Sequence, residues 1–191
     1  MKGRVQRIVD KAKHGNKKAF NQLVEMYQDK VLYLAFDLLG DWDEAKDIAQ
    51  EAFIRAYQKL KDFQGKAHFS SWIYRIAVNL CMDVHRKRKR SPHESLDNTL
   101  QNGYEPKSIL ENSNDTAGRS LEQLELRTQI DDALKQLSLN QRTAIVLRYF
   151  HERSTREIAA IMDCSENTVR IHFFRAMDKL KESLKELKND E

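Results

Sequence analysis

Both prolines of this chain, Pro92 and Pro106, fall in one segment that also holds Gly103 and Gly118 and shows little apolar periodicity. The segment is rich in Ser, Asn, Asp and Glu, a composition that is typical of linkers. At about 30 residues, it is too long to be an ordinary loop inside a compact domain. We therefore expect two domains, residues 1–90 and 122–191, joined by a flexible acidic linker over residues 91–121.

Apolar residues on both sides of this segment recur at spacings of three and four, which predicts helices. In the first half, one amphipathic helix ends at Gly40, since glycine adopts the left-handed conformation of a helix C-cap. Asp41 then caps the next helix, in a capping-box pattern with Glu44. The apolar face of that helix includes Tyr57, which is therefore expected to be buried.

Polar side chains mark three further helix starts. Ser70 or Ser71 is the candidate cap of a helix that runs into the basic residues at the end of the first half. In the second half we expect Asn140 to cap one helix, and Ser154 with Glu157 to form a capping box at the start of another. With only two prolines and six glycines, turn-rich β architectures are disfavoured. The prediction is an all-α fold of two small helical domains.

The formal net charge of +4 is distributed unevenly along the chain. Residues 1–62 carry +2, residues 63–90 carry +6, residues 91–128 carry −4, and residues 129–191 are neutral. The most basic stretch ends in five consecutive cations, Arg86 to Arg90. Because such cations repel one another, the run favours a polyanionic partner such as nucleic acid over a merely solvated helix end.

Residues 154–179 have the spacing of a helix-turn-helix, with a short helix, a three-residue turn and a longer helix. Val169, Phe173 and Ala176 are expected to face inward on the longer helix. The side chains expected at its outer face or edge are Asn167, Thr168, Arg170, Ile171, Phe174 and Arg175. Arginines and exposed apolar groups suit guanine edges, phosphates and thymine methyl groups in a major groove. The alternative is an ordinary helical hairpin with solvated arginines.

Residues 63–90 combine aromatic side chains with cations and contain a single acidic residue, Asp83. Bases drawn out of a duplex stack on aromatic rings or enter pockets, and their phosphates need cations. The rings in this stretch, Trp72 among them, could equally be core residues. The loop around Gly65 is the better candidate for ligand contact, since glycine permits close backbone approach.

Three long motifs, taken in order, resemble one family. Residues 41–63, DWDEAKDIAQEAFIRAYQKLKDF, are similar to the polymerase-binding helix in region two of bacterial sigma factors. Residues 63–90 resemble the segment that melts and reads the minus-ten element, and residues 154–181 resemble the region-four helix-turn-helix that reads the minus-thirty-five element. The chain as a whole resembles an extracytoplasmic-function (ECF) sigma factor of the sigma-70 family.

The resemblance implies roles for particular residues. Those matching the positions that bind the clamp helices of the polymerase largest subunit are Asp47, Gln50 and Glu51. Those matching the minus-ten base pocket and its flanking phosphate contacts are Phe63, Gln64, Gly65, Lys66, Ala67, His68, Phe69, Asn79, Arg86, Lys87 and Arg88. Those placed at the minus-thirty-five reading positions are Thr168, Arg170, Ile171, Phe174 and Arg175.

The partners implied are core RNA polymerase, promoter DNA as duplex and as melted single strand, and an anti-sigma factor. No phosphate-binding glycine loop, metal-protease helix or nucleophile elbow occurs in the sequence, so we expect no catalytic residues, cofactor or metal. Cys81 and Cys164 are expected to be packed thiols rather than a disulfide framework. No apolar stretch is long enough for a membrane span, and the bacterial cytoplasm is the expected location.

Two other functions are compatible with parts of this pattern. A duplex-binding repressor or activator would use only the helix-turn-helix, and would leave the loop near Gly65 and the polar triplet Asp47, Gln50 and Glu51 unexplained. A protein-interaction adaptor built of two helical modules would leave the cations of residues 86–90 without a role.

Overall fold

The computed structural model describes residues 2–65, 67–90, 129–130 and 132–189, with side chains described for residues 3–183 of these ranges. The elements in chain order are α1 (Lys2–Lys13), α2 (Lys17–Leu39), α3 (Trp42–Lys59), a 3₁₀ turn (Leu60–Asp62), α4 (Phe69–Arg90), α5 (Leu139–Ile145), a π-helical turn (Val146–Phe150), α6 (Thr155–Met162) and α7 (Glu166–Asn189). Residues 129–130 and 132–135 are also helical. These ranges contain no strand, and the all-α prediction is confirmed. The predicted linker and Lys66 lie outside them.

The junction between α2 and α3 forms as the sequence predicts, with one exception. Gly40 adopts the left-handed conformation, with φ at 74°, and its N–H donates to the carbonyl of Phe36 at 2.8 Å. The Asp41 side chain accepts the backbone N–H of Glu44 at 2.9 Å, so it is the N-cap of α3. The Glu44 carboxylate, however, pairs with Arg88 on α4 instead of completing the capping box. A long-range ion pair has replaced a local hydrogen bond.

The predicted cap of α4 is wrong. The helix begins at Phe69, and the N–H of Trp72 already donates to the carbonyl of His68 at 3.1 Å. Ser70 and Ser71 therefore lie inside the first turn. The Phe69 side chain is only 3% exposed, so burial of this ring rather than a hydroxyl cap fixes where the helix starts.

In the second half, one of the two predicted helix starts is correct. Helix α5 is capped by Ser138 in a capping box with Gln141, not by Asn140. The box at the start of α6 forms as predicted: the N–H of Glu157 donates to Ser154 Oγ at 3.3 Å, and the N–H of Ser154 donates to Glu157 Oε2 at 3.0 Å. Two N-terminal N–H groups of α6 are thus satisfied within one turn.

Replacing Ser154 by alanine should cost about 1 kcal/mol of unfolding free energy, the usual effect of losing an N-cap. Burial alone would raise the pKa of Glu157, but hydrogen bonds from Ser154 and the charge of Arg153 outweigh it and lower that pKa. A lowered folded-state pKa gives stability that is present above the unfolded pKa and lost as the pH falls through the folded one. The cost of Ser154→Ala in urea unfolding should therefore be smaller near about pH 4 than at neutral pH. Ser70→Ala is the control, expected to be neutral because Ser70 is not a cap.

The apolar side chains of the two halves share one core. Helices α1 to α4 pack together, and α6 packs on α4. The residues of the second half that join this core are Val146, Leu147, Ile158, Ala159, Ile161 and Val169. A smaller cluster of Leu134, Leu137, Ile145 and Ala176 belongs to the second half alone. Helical periodicity identified the buried faces but not this contact between halves. Within the described residues, no helix is long and apolar enough to cross a bilayer.

Candidate functional site

A groove of about 910 Å³ lies between α2 and α3. Phe20 and Val24 of α2, with Phe53 and Ile54 of α3, form part of its apolar lining, and the Phe20 and Tyr57 rings meet edge to face with centroids 4.9 Å apart. Polar side chains stand among them, including Gln28, Gln50, Gln58 and Asp29. An apolar groove with polar margins suits the apolar face of a partner helix.

Two groove residues depart from the amphipathic pattern of α3. Tyr57 was expected to be buried but is 46% exposed, because its ring packs against Phe20 at the groove wall. Ile54 is 44% exposed on the same helix. Their role was missed because the apolar face of a single helix does not show where a neighbouring helix stops covering it. An isoleucine on the polar face was the one available signal.

The polar triplet on α3 lies beside this groove. Asp47 and Gln50 are exposed, and Gln50 lines the groove itself. Glu51 is half-exposed and accepts from Arg55 Nε at 2.6 Å, one turn further along the helix. Exposed ion pairs of this kind contribute little to stability, so Glu51 can exchange this partner for another at low cost. The triplet and the groove together make one continuous surface, which we call the α2–α3 surface.

The loop between the 3₁₀ turn and α4 is held by its two terminal rings. Phe63 and Phe69 are both buried, and the Phe63 ring lies 4.8 Å from that of Trp72 and 6.2 Å from that of Phe69, centroid to centroid. Between these anchors the exposed loop residues are Gln64, Gly65, Ala67 and His68. Gly65 has φ at 70°, the left-handed region that favours glycine. The predicted contact residues are thus presented outward, while the two phenylalanines support them from the core.

Lys13 is a loop-positioning residue that the sequence did not indicate. Its ammonium group donates to the carbonyl of Phe63 at 2.6 Å, although α1 is 50 positions away in sequence. A charged donor on a half-buried carbonyl is among the stronger hydrogen bonds in proteins. It fixes the first turn of the loop, and nothing in the local sequence around Lys13 reveals that contact.

Replacing Lys13 by methionine should loosen the loop while keeping most of the aliphatic packing. A loss of about 1 kcal/mol corresponds to about a fivefold change in an equilibrium that depends on the loop conformation. We expect amide hydrogen exchange across residues 63–69 to accelerate by about that factor. Lys11→Met, an exposed lysine of the same helix turn, is the control. Equal exchange in both variants would show that the Lys13 contact does not hold the loop.

The outward face of α4 continues from the loop. Asn79 is exposed, although Val78 and Leu80 on either side of it are buried. Helical geometry places Trp72 and Arg75 on the face that carries Asn79, one and two turns earlier. Asn79 carries an amide that can both donate and accept, which is what reading a base edge requires. We call Trp72, Arg75 and Asn79, with the exposed loop residues, the loop–α4 surface.

The basic end of α4 is partly committed to internal ion pairs. Arg86 Nη2 lies 2.6 Å from Asp83 Oδ1, and Arg88 Nη2 lies 2.5 Å from Glu44 Oε2 on α3. Lys87, Lys89 and Arg90 are exposed. Of the three predicted phosphate contacts, Lys87 thus points to solvent and the two arginines are held by carboxylates. Because exposed ion pairs are weak, both arginines can still exchange a carboxylate for a phosphate.

The helix-turn-helix predicted over residues 154–179 forms from α6 and α7. Asp163, with φ at 55°, closes α6, and Ser165 Oγ accepts the N–H of Thr168 at 3.0 Å to begin α7. The Thr168 hydroxyl bonds the Ser165 hydroxyl at 2.8 Å, so this predicted contact residue is also part of the cap. The predicted reading residues that are exposed on α7 are Arg170, Ile171, Phe174 and Arg175. Phe174 is 70% exposed, unusual for a ring with no ligand role.

No group of three or more metal-ligating side chains occurs among the described residues. Cys81 is buried, and burial raises the pKa of its thiol to about 12. Burial also raises the pKa of the Cys164 thiol. Neither cysteine has the thiolate character that redox or metal chemistry needs at neutral pH.

Comparison with known families places both halves. Residues 23–91 match the family described as sigma-70 region 2, and residues 127–180 match sigma-70 region 4. The RNA polymerase sigma-H factor of Pseudomonas aeruginosa is 36% identical over 184 residues, which cover 95% of this chain and 94% of that protein. The ECF RNA polymerase sigma factor SigW of Bacillus subtilis is 34% identical over 183 residues, covering 96% and 98% respectively.

Two solved structures are similar over most of the chain. One is CnrH in complex with the cytosolic domain of CnrY, with a TM-score of 0.66, 25% identity, and coverage of 93% of this chain and 95% of that chain. The other is the sigma factor RpoE of Bartonella quintana in complex with the anti-sigma factor NepR, with a TM-score of 0.67, 26% identity, and coverage of 88% and 98%. The helical architecture is therefore shared along nearly the whole length of each.

Proposed function

The chain belongs to the ECF sigma factors of the sigma-70 family, and we propose that it directs core RNA polymerase to promoters by reading and melting the minus-ten element and reading the minus-thirty-five element. It is a specificity factor of transcription and not an enzyme. We assign the minus-ten role to a domain of residues 1–90 and the minus-thirty-five role to a domain of residues 122–191. The acidic segment 91–121 connects them.

The loop–α4 surface supports the minus-ten assignment and is the observation that carries the proposal. Its exposed loop is fixed at both ends by buried rings and stands beside an exposed amide, Asn79, and the basic end of α4. A flipped base needs a pocket with hydrogen-bonding groups, and its strand needs nearby cations. In this assignment the loop residues and Asn79 take the base, while Arg86, Lys87 and Arg88 hold phosphates.

The α2–α3 surface supports polymerase binding. Its apolar groove would receive a partner helix, and its polar residues, Asp47, Gln50 and Glu51, would fix the register of that helix through hydrogen bonds and charge. We infer that this partner is the pair of clamp helices of the polymerase largest subunit. The loop–α4 surface lies on other residues of the same bundle, so one domain can bind both partners at once.

The exposed side chains of α7 support the minus-thirty-five assignment, with Thr168, Arg170, Ile171, Phe174 and Arg175 entering the major groove. Residues 129–191 carry no net charge. Counterion release supplies most of the general affinity of proteins for duplex DNA, so this half binds DNA weakly by itself. Delivery by polymerase would supply the missing affinity.

A regulatory partner is also proposed. The RpoE structure of Bartonella quintana contains a bound anti-sigma factor, and this chain shares its fold over 88% of its length. By analogy we infer that an anti-sigma factor binds this chain, in the bacterial cytoplasm where polymerase acts. The apolar α2–α3 groove is a surface to which such a protein could bind in competition with polymerase.

Run-off transcription tests the proposal. A pool of randomised promoter-length templates, each with a fixed downstream sequence, is transcribed by core polymerase with and without this protein, and the transcribed templates are sequenced. We expect protein-dependent products that share two motifs separated by a fixed spacer. A duplex-binding repressor or an adaptor would yield no protein-dependent product, and that result would overturn the proposal.

A further inference from the structure

We propose that in the unbound chain the segment 146–163 docks on α4 and covers the loop–α4 surface, so that the chain hides its own single-strand-reading surface until the two halves separate. The inference rests on the proposed function for the identity of the covered surface, but not for the docking itself. The occupant is part of the same chain, and four sets of contacts describe how it is held.

The first contact is a polar cluster that joins the two halves around His151. The imidazole Nε2 lies 3.2 Å from Asp37 Oδ2 on α2, and Nδ1 lies 3.2 Å from the hydroxyl of Tyr74 on α4. A carboxylate only accepts, so Nε2 carries the proton, and Nδ1 of the neutral ring accepts from the tyrosine. The His151 side chain is 8% exposed and that of Asp37 is 11% exposed, so separation would hydrate groups that docking pairs.

The second contact is Arg153, whose guanidinium carbon lies 4.5 Å from the centroid of the Tyr74 ring. The same residue is ion-paired with Glu157 at 3.5 Å, which fixes the guanidinium over the ring. Tyr74 is 1% exposed and therefore receives a hydrogen-bonding partner at its hydroxyl and a cation on its face, both from the second half.

The backbone of the segment is shaped to present these side chains. Val146–Phe150 forms a π-helical turn, a feature that is frequent at functional positions. Glu152 follows with φ at 52°, an uncommon conformation for a residue other than glycine, and the N–H of Arg153 then donates to the carbonyl of Leu147 at 2.9 Å. Backbone strain of this kind persists only where surrounding contacts hold it, and here the contacts are those with α2 and α4.

The third contact lies directly on the loop–α4 surface. Arg75 Nη2 is 2.5 Å from Asp163 Oδ2 at the end of α6. A cavity of about 330 Å³ separates Ala67 and Trp72 of the first half from Ala160 and Cys164 of the second. An acidic side chain of the protein thus occupies the arginine that shares a helical face with Asn79, where a DNA phosphate would otherwise bind.

The fourth contact is apolar, and it makes the docking more than a set of surface charges. Ile158 and Ile161 of α6 are fully buried, in the same core as Ala77 and Val78 of α4. Removing four such side chains from water is the main favourable term of the contact. By contrast, every residue lining the α2–α3 groove comes from the first half, so docking leaves that surface open.

Docking and promoter reading exclude each other on geometry as well. Promoter elements about 25 base pairs apart lie about 85 Å apart along duplex DNA, whereas α6 here is in contact with α4. The halves must therefore separate before both elements can be read. The 38 residues from 91 to 128 can span at most about 125 Å, so the connection is long enough.

The docking is tested by the fluorescence of Trp72, which lines the cavity between the halves. In the full-length chain with Trp42→Phe, Trp72 is the only tryptophan left. We expect His151→Ala to raise the acrylamide quenching constant of Trp72 at least twofold, and Asp163→Asn to raise it by a smaller factor. Asp163→Asn keeps a residue that tolerates the left-handed conformation, so it preserves the end of α6. Asp132→Asn, which removes an exposed ion pair elsewhere in the second half, is the control and should change nothing.

The covered function is tested on the same proteins without polymerase. The probe is a single-stranded oligonucleotide carrying the non-template minus-ten strand of a promoter recovered by run-off transcription. We expect His151→Ala to bind it about tenfold more tightly than the parent chain, because a site that is rarely accessible binds with proportionally reduced affinity. Helical circular dichroism identifies any variant that has unfolded instead of opened, and Asp163→Asn then decides the matter.

The outcomes separate the inference from the proposed function. Unchanged Trp72 quenching in folded His151→Ala and Asp163→Asn would overturn the docking, whatever the DNA result. Increased quenching with unchanged oligonucleotide affinity would overturn the claim that docking hides a DNA-reading surface. Increased quenching with increased affinity supports both statements.

Discussion

Replacing Asn79 by alanine is expected to reduce promoter opening by about tenfold or more, while leaving the affinity for core polymerase unchanged. Asn79 is exposed between buried neighbours, so its amide makes no contribution to the core that alanine would lose. A bidentate amide–base pair contributes about 1–3 kcal/mol of base discrimination, which corresponds to about 5- to 150-fold. The loss falls on opening because the amide contacts the base only after it has left the duplex.

Permanganate reactivity of unpaired thymines measures opening, and native gel electrophoresis with core polymerase measures binding. The control is Asn140→Ala, which removes the same amide from an exposed position in the first turn of α5. We expect the control to open promoters normally. If Asn79→Ala lowered polymerase affinity and opening by the same factor, Asn79 would act in folding or polymerase binding, and the base-reading role would be wrong.

The second large effect is expected from Ile54→Asp in the α2–α3 groove. Ile54 is 44% exposed in the unbound chain, so a carboxylate there is solvated and the fold should tolerate it. When a partner helix closes the groove, the same carboxylate becomes a buried charge without a partner, which costs at least about 2 kcal/mol. The affinity for core polymerase should therefore fall by about 30-fold or more.

The matched control for this variant is Met26→Asp. Met26 is 41% exposed on α2 and is not part of the groove lining, so the same carboxylate should leave polymerase affinity unchanged. Fluorescence anisotropy of labelled protein titrated with core polymerase measures both variants. Equal losses would indicate a general effect of charge, and the groove would then not be the docking site.

Much of the helical architecture could be predicted because its signals are local. The glycine after α2, the aspartate before α3 and the Ser154–Glu157 box each satisfy backbone groups within a few residues, and all three form. The wrong caps show where locality ends. Helix α4 begins at Phe69 because that ring is buried among Phe63, Trp72 and Tyr27, which come from three parts of the chain.

The candidate site follows the same division. Exposure of Asp47, Gln50 and Asn79 could be predicted, because each lies off the apolar face of its own helix. The groove that Ile54 and Tyr57 help to form could not, since it depends on where α2 leaves α3 uncovered. Nor could the Lys13 contact with the loop, which joins positions 50 residues apart through a backbone carbonyl that carries no sequence signal.

By itself, the sequence determined that this chain is helical, that it divides at an acidic proline-containing segment, and which face of most helices is apolar. Tertiary structure alone decided which apolar faces meet. Periodicity reports that Ile158 and Ile161 are buried, but many apolar surfaces could bury them at similar free energy. The choice of α4 follows from long-range pairs, His151 with Asp37 and Tyr74, and Arg75 with Asp163, whose partners lie 77 to 114 residues apart for the histidine. Such pairs form only when the whole chain is folded, because no local interaction brings their members together.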